Sequence, residues 1–139
     1  DLLPTIVDLA GYKTITLNEI DGGSFAPTLF NKNDESIKRN VDGIFFHVPY
    51  RNGIALKRPH SAVRKGEYKL VKFQDDKSIF LFNLVKDKME QINLVTQKQE
   101  KAKELERILD NYLIEVHAPK WQEGITWKNT PLNKINSNY

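Results

Sequence analysis

Between residues 102 and 116 the apolar side chains recur at helical intervals. Ala102, Leu105, Ile108, Leu109, Tyr112, Leu113 and Val116 fall on one stripe, with charged residues opposite. Thr96-Gln97-Lys98-Gln99 reads as a capping box that opens this helix, and Pro119 as its stop, so the pattern predicts a helix over 97–118. Upstream the period shortens. Gly43-Ile44-Phe45-Phe46-His47-Val48 is β-branched and aromatic and ends at Pro49, the mark of a strand. Ser61-Ala62-Val63-Arg64 reads as a second strand, and Tyr68 to Phe73 with Ile79 to Leu84 as a hairpin around the polar turn Gln74-Asp75-Asp76-Lys77. In the last of these strands both faces are apolar: Phe80, Phe82 and Leu84 on one, Ile79 and Leu81 on the other. A sheet covered on both sides accounts for that, with one side free to meet a further domain.

The ends of the chain are less regular. Leu2, Ile6 and Leu9 share a face of a short first helix, which tolerates Pro4 in its opening turn and meets Gly11 where a left-handed cap would fall. Residues 21–40, from Asp21-Gly22-Gly23-Ser24 through Pro27 to Asn31-Lys32-Asn33-Asp34, read as loop. Asp87-Lys88-Met89-Glu90 repeats the capping pattern and predicts a short helical turn. Taken together the elements predict an α+β fold, a small antiparallel sheet of about four strands packed against one long C-terminal helix. Its expected parts are a helix and loop over 1–40, the sheet and helix over 41–126, and an irregular tail over 127–139.

Composition narrows the function classes. With 40% hydrophobic and 28% charged residues among 139, the chain can bury one core. No apolar run approaches the roughly 20 residues of a spanning helix, so no membrane segment is expected. The absence of cysteine excludes disulfides, zinc-thiolate sites and cysteine nucleophiles within the chain. A net charge of +3, with lysines interleaved among acids, lacks the basic stripe of a nucleic-acid binder and suits an anionic substrate instead. The chain opens at Asp1 on helix-like residues, which reads as a cut through a larger protein.

The candidate chemistry is sparse. His47, His60 and His117 match no short metal motif. His117 reads as a cation near a helix C-terminus. His47 and His60 flank one loop together with Tyr50, Arg51 and Arg64. Either they belong to a solvated loop with one histidine satisfied at a strand end, or they recognise an anion or sugar, since arginine presents a planar fork to sulfate oxygens. Asp75 and Asp76 read as turn formers, and Glu100, Glu104 and Glu106 as the solvated face of the long helix. No paired acid and base and no glycine-rich phosphate loop stand out.

Several segments together resemble the C-terminal part of the formylglycine-dependent sulfatases of the alkaline phosphatase superfamily. Asp1-Leu2-Leu3-Pro4-Thr5 with Leu9-Ala10-Gly11 is similar to the helix closing that family's catalytic domain. Asp21-Gly22-x-Ser24-x-x-Pro27-x-Leu29 resembles its Asp-Gly-x-Ser loop, and Phe45-Phe46-His47-x-Pro49-Tyr50 its aromatic-His-x-Pro strand. Pro59-x-Ser61-Ala62-Val63-Arg64-x-Gly66-x-Tyr68-Lys69-Leu70 resembles its hairpin, and Leu81-Phe82-Asn83-Leu84 with Asp87, Glu90 and Asn93-Leu94 the segment that follows. Phe82 stands where tyrosine is usual and Phe46 where tryptophan is common.

The resemblance implies that calcium ligands and the formylglycine lie upstream, so the chain by itself should carry no catalytic residue, metal or cofactor. Ser61-x-x-Arg64 is one residue too short for the Cys/Ser-x-Pro-x-Arg motif and lacks its proline. The expected partners are the N-terminal sulfatase catalytic domain, to which the helix and loop over 1–40 would belong or dock, and, through it, a sulfated sugar or aryl sulfate. His47, Tyr50, Arg51, His60 and Arg64 are the expected rim contacts. A periplasmic or secreted location is implied, and the chain alone is expected to self-associate or to be partly disordered over residues 1–40. The alternative is a free-standing binding module for sulfated or acidic polysaccharide.

Overall fold

The computed structural model describes residues 1–12, 20–30, 37–50 and 58–121. The expected tail over 127–139 and the candidate Arg51 lie outside the described residues. The chain forms two compact units, Asp1–Asp42 and Gly43–Tyr139.

In the first unit, helix α1 spans Leu2–Leu9. Gly11 follows it with φ +80°, the left-handed geometry expected of a C-terminal cap. The helix is turned inside out. Its polar residues at positions 1, 5 and 8 face the rest of the unit: the Gly23 N–H donates to Asp1 Oδ1 (3.0 Å), the Phe25 N–H to Thr5 Oγ1 (3.0 Å), and Ser24 Oγ to Asp8 Oδ2 (2.7 Å). Arg39 closes the same corner, its Nε and Nη2 both donating to the Asp1 carboxylate. Thr5 is buried, whereas Leu2, Leu3, Ile6 and Leu9 are 70%, 54%, 62% and 48% exposed. Gly23 allows the close return of the chain, because a Cβ there would overlap the Lys38 carbonyl oxygen.

Residues 21–40 are not wholly loop. Ala26–Phe30 form a second, five-residue helix, α2. Pro27 sits in its first turn, where a missing N–H costs nothing, so the residue taken as a breaker is a starter. Ser24 Oγ accepts the Ala26 N–H at 3.1 Å at the helix entry.

In the second unit, β1 (Ile44–Val48), β2 (His60–Lys65), β3 (Tyr68–Phe73) and β4 (Ile79–Asn83) form one sheet in the order β1-β2-β3-β4, antiparallel throughout. Helix α3, Gln99–Glu115, packs on one face. The register pairs His47 with Ser61, Val63 with Leu70, and Leu70 with Leu81. Since paired residues share a face, Phe45, Val63, Leu70 and Leu81 meet Ala102, Leu105 and Leu109 of α3. Phe45 stacks on Tyr112 with centroids 3.8 Å apart and planes 9° apart. On the other face Ala62, Val71 and Phe82 are buried with Phe73, Phe80 and Leu84 beside them. The doubly apolar strand is therefore matched by a cluster on each face.

The edge strand β4 is closed by the chain that follows. Asn93 Oδ1 accepts the Leu81 N–H (3.0 Å), and the Leu94 N–H donates to the Leu81 carbonyl (2.8 Å). Lys72 ties β3 to α3: its ammonium lies 2.8 Å from Asp110 and 2.9 Å from Glu106. Glu106 is thus a tether and not part of a solvated face. Burial alone would lower the Lys72 pKa, but the two carboxylates outweigh it and raise the value.

Both expected capping boxes differ from what forms. Residues 87–90 make turns but no helix; Glu90 has φ +56°, its N–H donates to the Asp87 carbonyl (3.3 Å), and its carboxylate reaches Lys69 at 2.7 Å in place of a reciprocal cap. The helix begins at Gln99 with Lys98 as its N-cap and no side-chain capping bond, not at Gln97 under Thr96. At its other end it stops at Glu115, short of 118. The Ala118 N–H bonds the Leu113 carbonyl and the His117 N–H that of Ile114, with His117 at φ +49°. That is a Schellman turn whose left-handed position is filled by histidine.

Candidate functional site

The sheet register distributes the sequence-predicted residues over two faces. His47 pairs with Ser61 and lies on the side of α3. His60 and Arg64 lie on the opposite face, at the two ends of β2, about 13 Å apart at 3.3 Å per residue. Tyr50 follows β1 and is half-buried. The described candidates therefore do not form one cluster.

His47 is held at both ring nitrogens. Nε2 is 2.7 Å from the Pro119 carbonyl and Nδ1 2.8 Å from Ser61 Oγ. A carbonyl only accepts, so Nε2 carries the proton and, in the neutral ring, Nδ1 accepts from the Ser61 hydroxyl. Burial lowers the His47 pKa; the Pro119 carbonyl raises it in part, and nearby His60 lowers it further. Gln74 extends the chain of contacts. Its amide nitrogen donates to Ser61 Oγ (2.9 Å), and its Oε1 accepts the Trp121 N–H (3.0 Å).

His60 is 8% exposed, with Nδ1 2.8 Å from the Arg58 carbonyl and its ring beside Phe73. Arg58 was not singled out by the sequence, yet it organises this end of the sheet. Its Nε and Nη2 reach Asp75 at 3.0 and 2.6 Å, Nη2 reaches Asp76 at 2.7 Å, and its guanidinium lies 4.0 Å over the Phe73 ring. The guanidinium holds the Asp75 carboxyl below its ordinary value. Asp76 is pushed down to about 2, first by the Ser78 hydroxyl and N–H and then by Arg58. The two aspartates make the turn, as expected, and also fix Arg58. The available signal was the Asp-Asp tip; which cation it meets depends on the pairing of His60 with Phe73.

A cavity of about 900 Å³ opens between the α3 face of the sheet and the end of that helix. His47, Ser61, Gln74, Leu113, Pro119 and Trp121 line it, with Lys72, Lys77 and Lys120 at its border. Arg64 is exposed on the other face, available to an anion.

The described residues do not fit a formylglycine centre. Ser61 is 2% exposed and bonded to His47 and Gln74, so it is a structural hydroxyl. Among the described residues no three His, Asp or Glu side chains converge as a metal site. No helix of the described residues is long and apolar enough to cross a membrane.

Comparison with known proteins gives this arrangement a family. No curated protein sequence matches the chain. Among solved structures it is similar to BT1596, a 2-O glycosaminoglycan sulfatase, at 28% identity and TM-score 0.67, over 85% of this chain and 25% of that one. It shares the fold of BT4656, solved with its substrate D-glucosamine-2-N,6-O-disulfate, at 22% identity and TM-score 0.68, over 90% and 25%. A candidate sulfatase from Bacteroides thetaiotaomicron VPI-5482 is similar at 26% identity and TM-score 0.65, over 83% and 24%. The chain spans about a quarter of the length of each. The family model described as N-sulphoglucosamine sulphohydrolase, C-terminal, matches residues 1–119, so the chain belongs to that family, the C-terminal subdomain of sulfatases.

Proposed function

We propose that this chain is the C-terminal part of a sulfuric ester hydrolase, that it completes the enzyme's fold, and that it is inactive alone. The observation that carries the reading is the family match over residues 1–119 in a chain a quarter the length of the sulfatases it resembles. The outward apolar stripe of α1 supports it. A helix that bonds its own unit through Asp1, Thr5 and Asp8 leaves Leu2, Leu3, Ile6 and Leu9 for another surface. The upstream catalytic part is the partner this account assigns to them. Separated from it, the chain would self-associate through the same stripe.

In this reading the upstream part supplies calcium and the formylglycine, which together provide a hydrated aldehyde nucleophile and charge neutralisation of sulfate. The present chain contributes to the rim. Arg64 offers an exposed fork to an anion. Tyr50 follows β1 directly, Arg51 is next to it in sequence, and the buried His60 bonds the Arg58 carbonyl just ahead of β2. His47 acts by fixing β1 against the segment after α3. The substrate class is a sulfated saccharide, supported by the glycosaminoglycan sulfatase and the glucosamine disulfate named among the similar structures; aryl sulfates are the comparison substrates. A periplasmic or secreted location is part of the same proposal.

The test is sulfate release by the whole protein from N- and O-sulfated glucosamine, sulfated uronic acid and aryl sulfate, with Arg64→Ala alongside. A rim role predicts that the variant raises KM more than it lowers kcat. No sulfate release from any sulfated substrate would refute the hydrolase reading. Unchanged kinetics in the variant would remove Arg64 from the rim.

A further inference from the structure

Among the described residues, the seam between the sheet and the segment after α3 is bridged by a chain of hydrogen bonds whose direction is fixed. The Pro119 carbonyl takes the Nε2 proton of His47, Nδ1 takes the Ser61 hydroxyl proton, Ser61 Oγ takes the Gln74 amide, and Gln74 Oε1 takes the Trp121 N–H. Nδ1 can accept from Ser61 only while the imidazole is neutral, whereas the Nε2–H bond to Pro119 is open to either form.

We propose that this chain is an acid-operated clasp: neutral His47 holds the Pro119–Trp121 segment against the sheet, and protonation of His47 releases it. A second proton on the ring turns Nδ1 into a donor. Ser61 is 2% exposed, and its hydroxyl hydrogen then loses its acceptor. The Gln74 amide nitrogen, 3.5 Å from Nδ1, becomes a donor facing a donor.

Among the described residues, the carboxylates near His47 are already paired. From β3 and α3 the nearest charges are Lys72 and Asp110, already paired with each other. The turn after β3 brings Asp75, paired with Arg58, and Lys77; the segment after α3 brings His117 and Lys120. β2 adds His60, whose proximity also opposes a cation at His47. Burial and His60 thus disfavour the imidazolium by more than the Pro119 carbonyl favours it, and the ring gains by leaving the seam for water and giving up Pro119. Loss of that anchor, with Ser61 and Gln74 no longer aligned by Nδ1, frees Trp121.

The clasp is tested in the intact protein by hydrogen–deuterium exchange and mass spectrometry between pH 8 and pH 5. Exchange at C2 of the His47 ring gives its titration, and amide exchange of the Lys120–Trp121 peptide, corrected for intrinsic rates, gives release. The expected result is at least about tenfold faster amide exchange, with a midpoint that follows His47 and lies below 6.5, while the β3–β4 hairpin stays protected. His47→Gln, which keeps a donor and cannot titrate, should abolish the pH dependence. Ser61→Ala, which removes the stranded hydroxyl, should move both midpoints upward together. Unchanged protection of Trp121 through the His47 titration would overturn the proposal. So would release that persists with the same midpoint in His47→Gln, or, should that variant not fold, midpoints that separate in Ser61→Ala.

Discussion

Replacing Ile6 by aspartate separates what α1 does for its own unit from what it does for a partner. Ile6 is 62% exposed and makes none of the contacts that fix the helix; those come from Asp1, Thr5 and Asp8. Within the separated chain the substitution should change stability by no more than about 0.5 kcal/mol, the usual effect of a surface change. Docking is different. Full burial of an isoleucine is worth about 1.5–3 kcal/mol, so covering the exposed three-fifths yields about 1–2 kcal/mol, which the variant forfeits. It also buries a carboxylate with no partner, adding several kcal/mol. A docking loss of about 4 kcal/mol is roughly a thousandfold in affinity. The assay is paired thermal unfolding, by circular dichroism, of the intact protein and of the separated chain, each with and without Ile6→Asp, together with sulfate release by the intact pair. The expected pattern is an unchanged chain and an intact protein with a lowered transition and lost activity. An intact variant that melts and turns over like the parent would refute the assignment of this face.

Other consequences follow from the same contacts. Leu105 is fully buried between α3 and the sheet, so Leu105→Ala should cost about 3–4 kcal/mol in denaturant unfolding, whereas Ile114→Ala on the same helix, 71% exposed, should cost less than about 0.5 kcal/mol. His117 holds a left-handed position, and His117→Gly should stabilise the protein by about 0.5 kcal/mol in the same assay, strain relief outweighing added chain entropy. Asp76 has its carboxyl pushed from an ordinary 3.8 to about 2, so the stability it contributes is complete above 3.8 and lost as pH falls through 2. Asp76→Asn should therefore flatten the pH dependence of unfolding across that window, and an unaltered acid limb would contradict the contact network at the turn.

The elements that were legible in the sequence are those whose burial is periodic. Leu105 and Leu109 announce α3, and the alternation of Ile79 to Leu84 announces both a strand and its two covered faces, because apolar spacing maps directly onto one element. Boundaries were less legible. Thr96 and Asp87 carry capping chemistry, yet Asn93 and Leu94, bonded to Leu81, set where the chain leaves the sheet and so where α3 starts. The candidate site was legible as residue types but not as a place. His47 and His60 flank one loop, and the strand alternation sends them to opposite faces; their partners Pro119 and Arg58 become neighbours only through the tertiary fold or the backbone path. The polarity of α1 was legible only in part, since an apolar stripe asks for a partner surface without saying which. Its amphipathic pattern is the same whichever face meets the unit, and only the bonds to Gly23, Ser24 and Phe25 show that the polar face is the inner one.

The most direct test of the account supplies this chain in trans. The upstream polypeptide is prepared without residues 1–139, and sulfate release from a sulfated glucosamine is followed before and after the chain is added. The account predicts negligible release from either part alone and substantial release from the two together. Full activity of the upstream part without the chain, or sulfate release by the chain on its own, would contradict it.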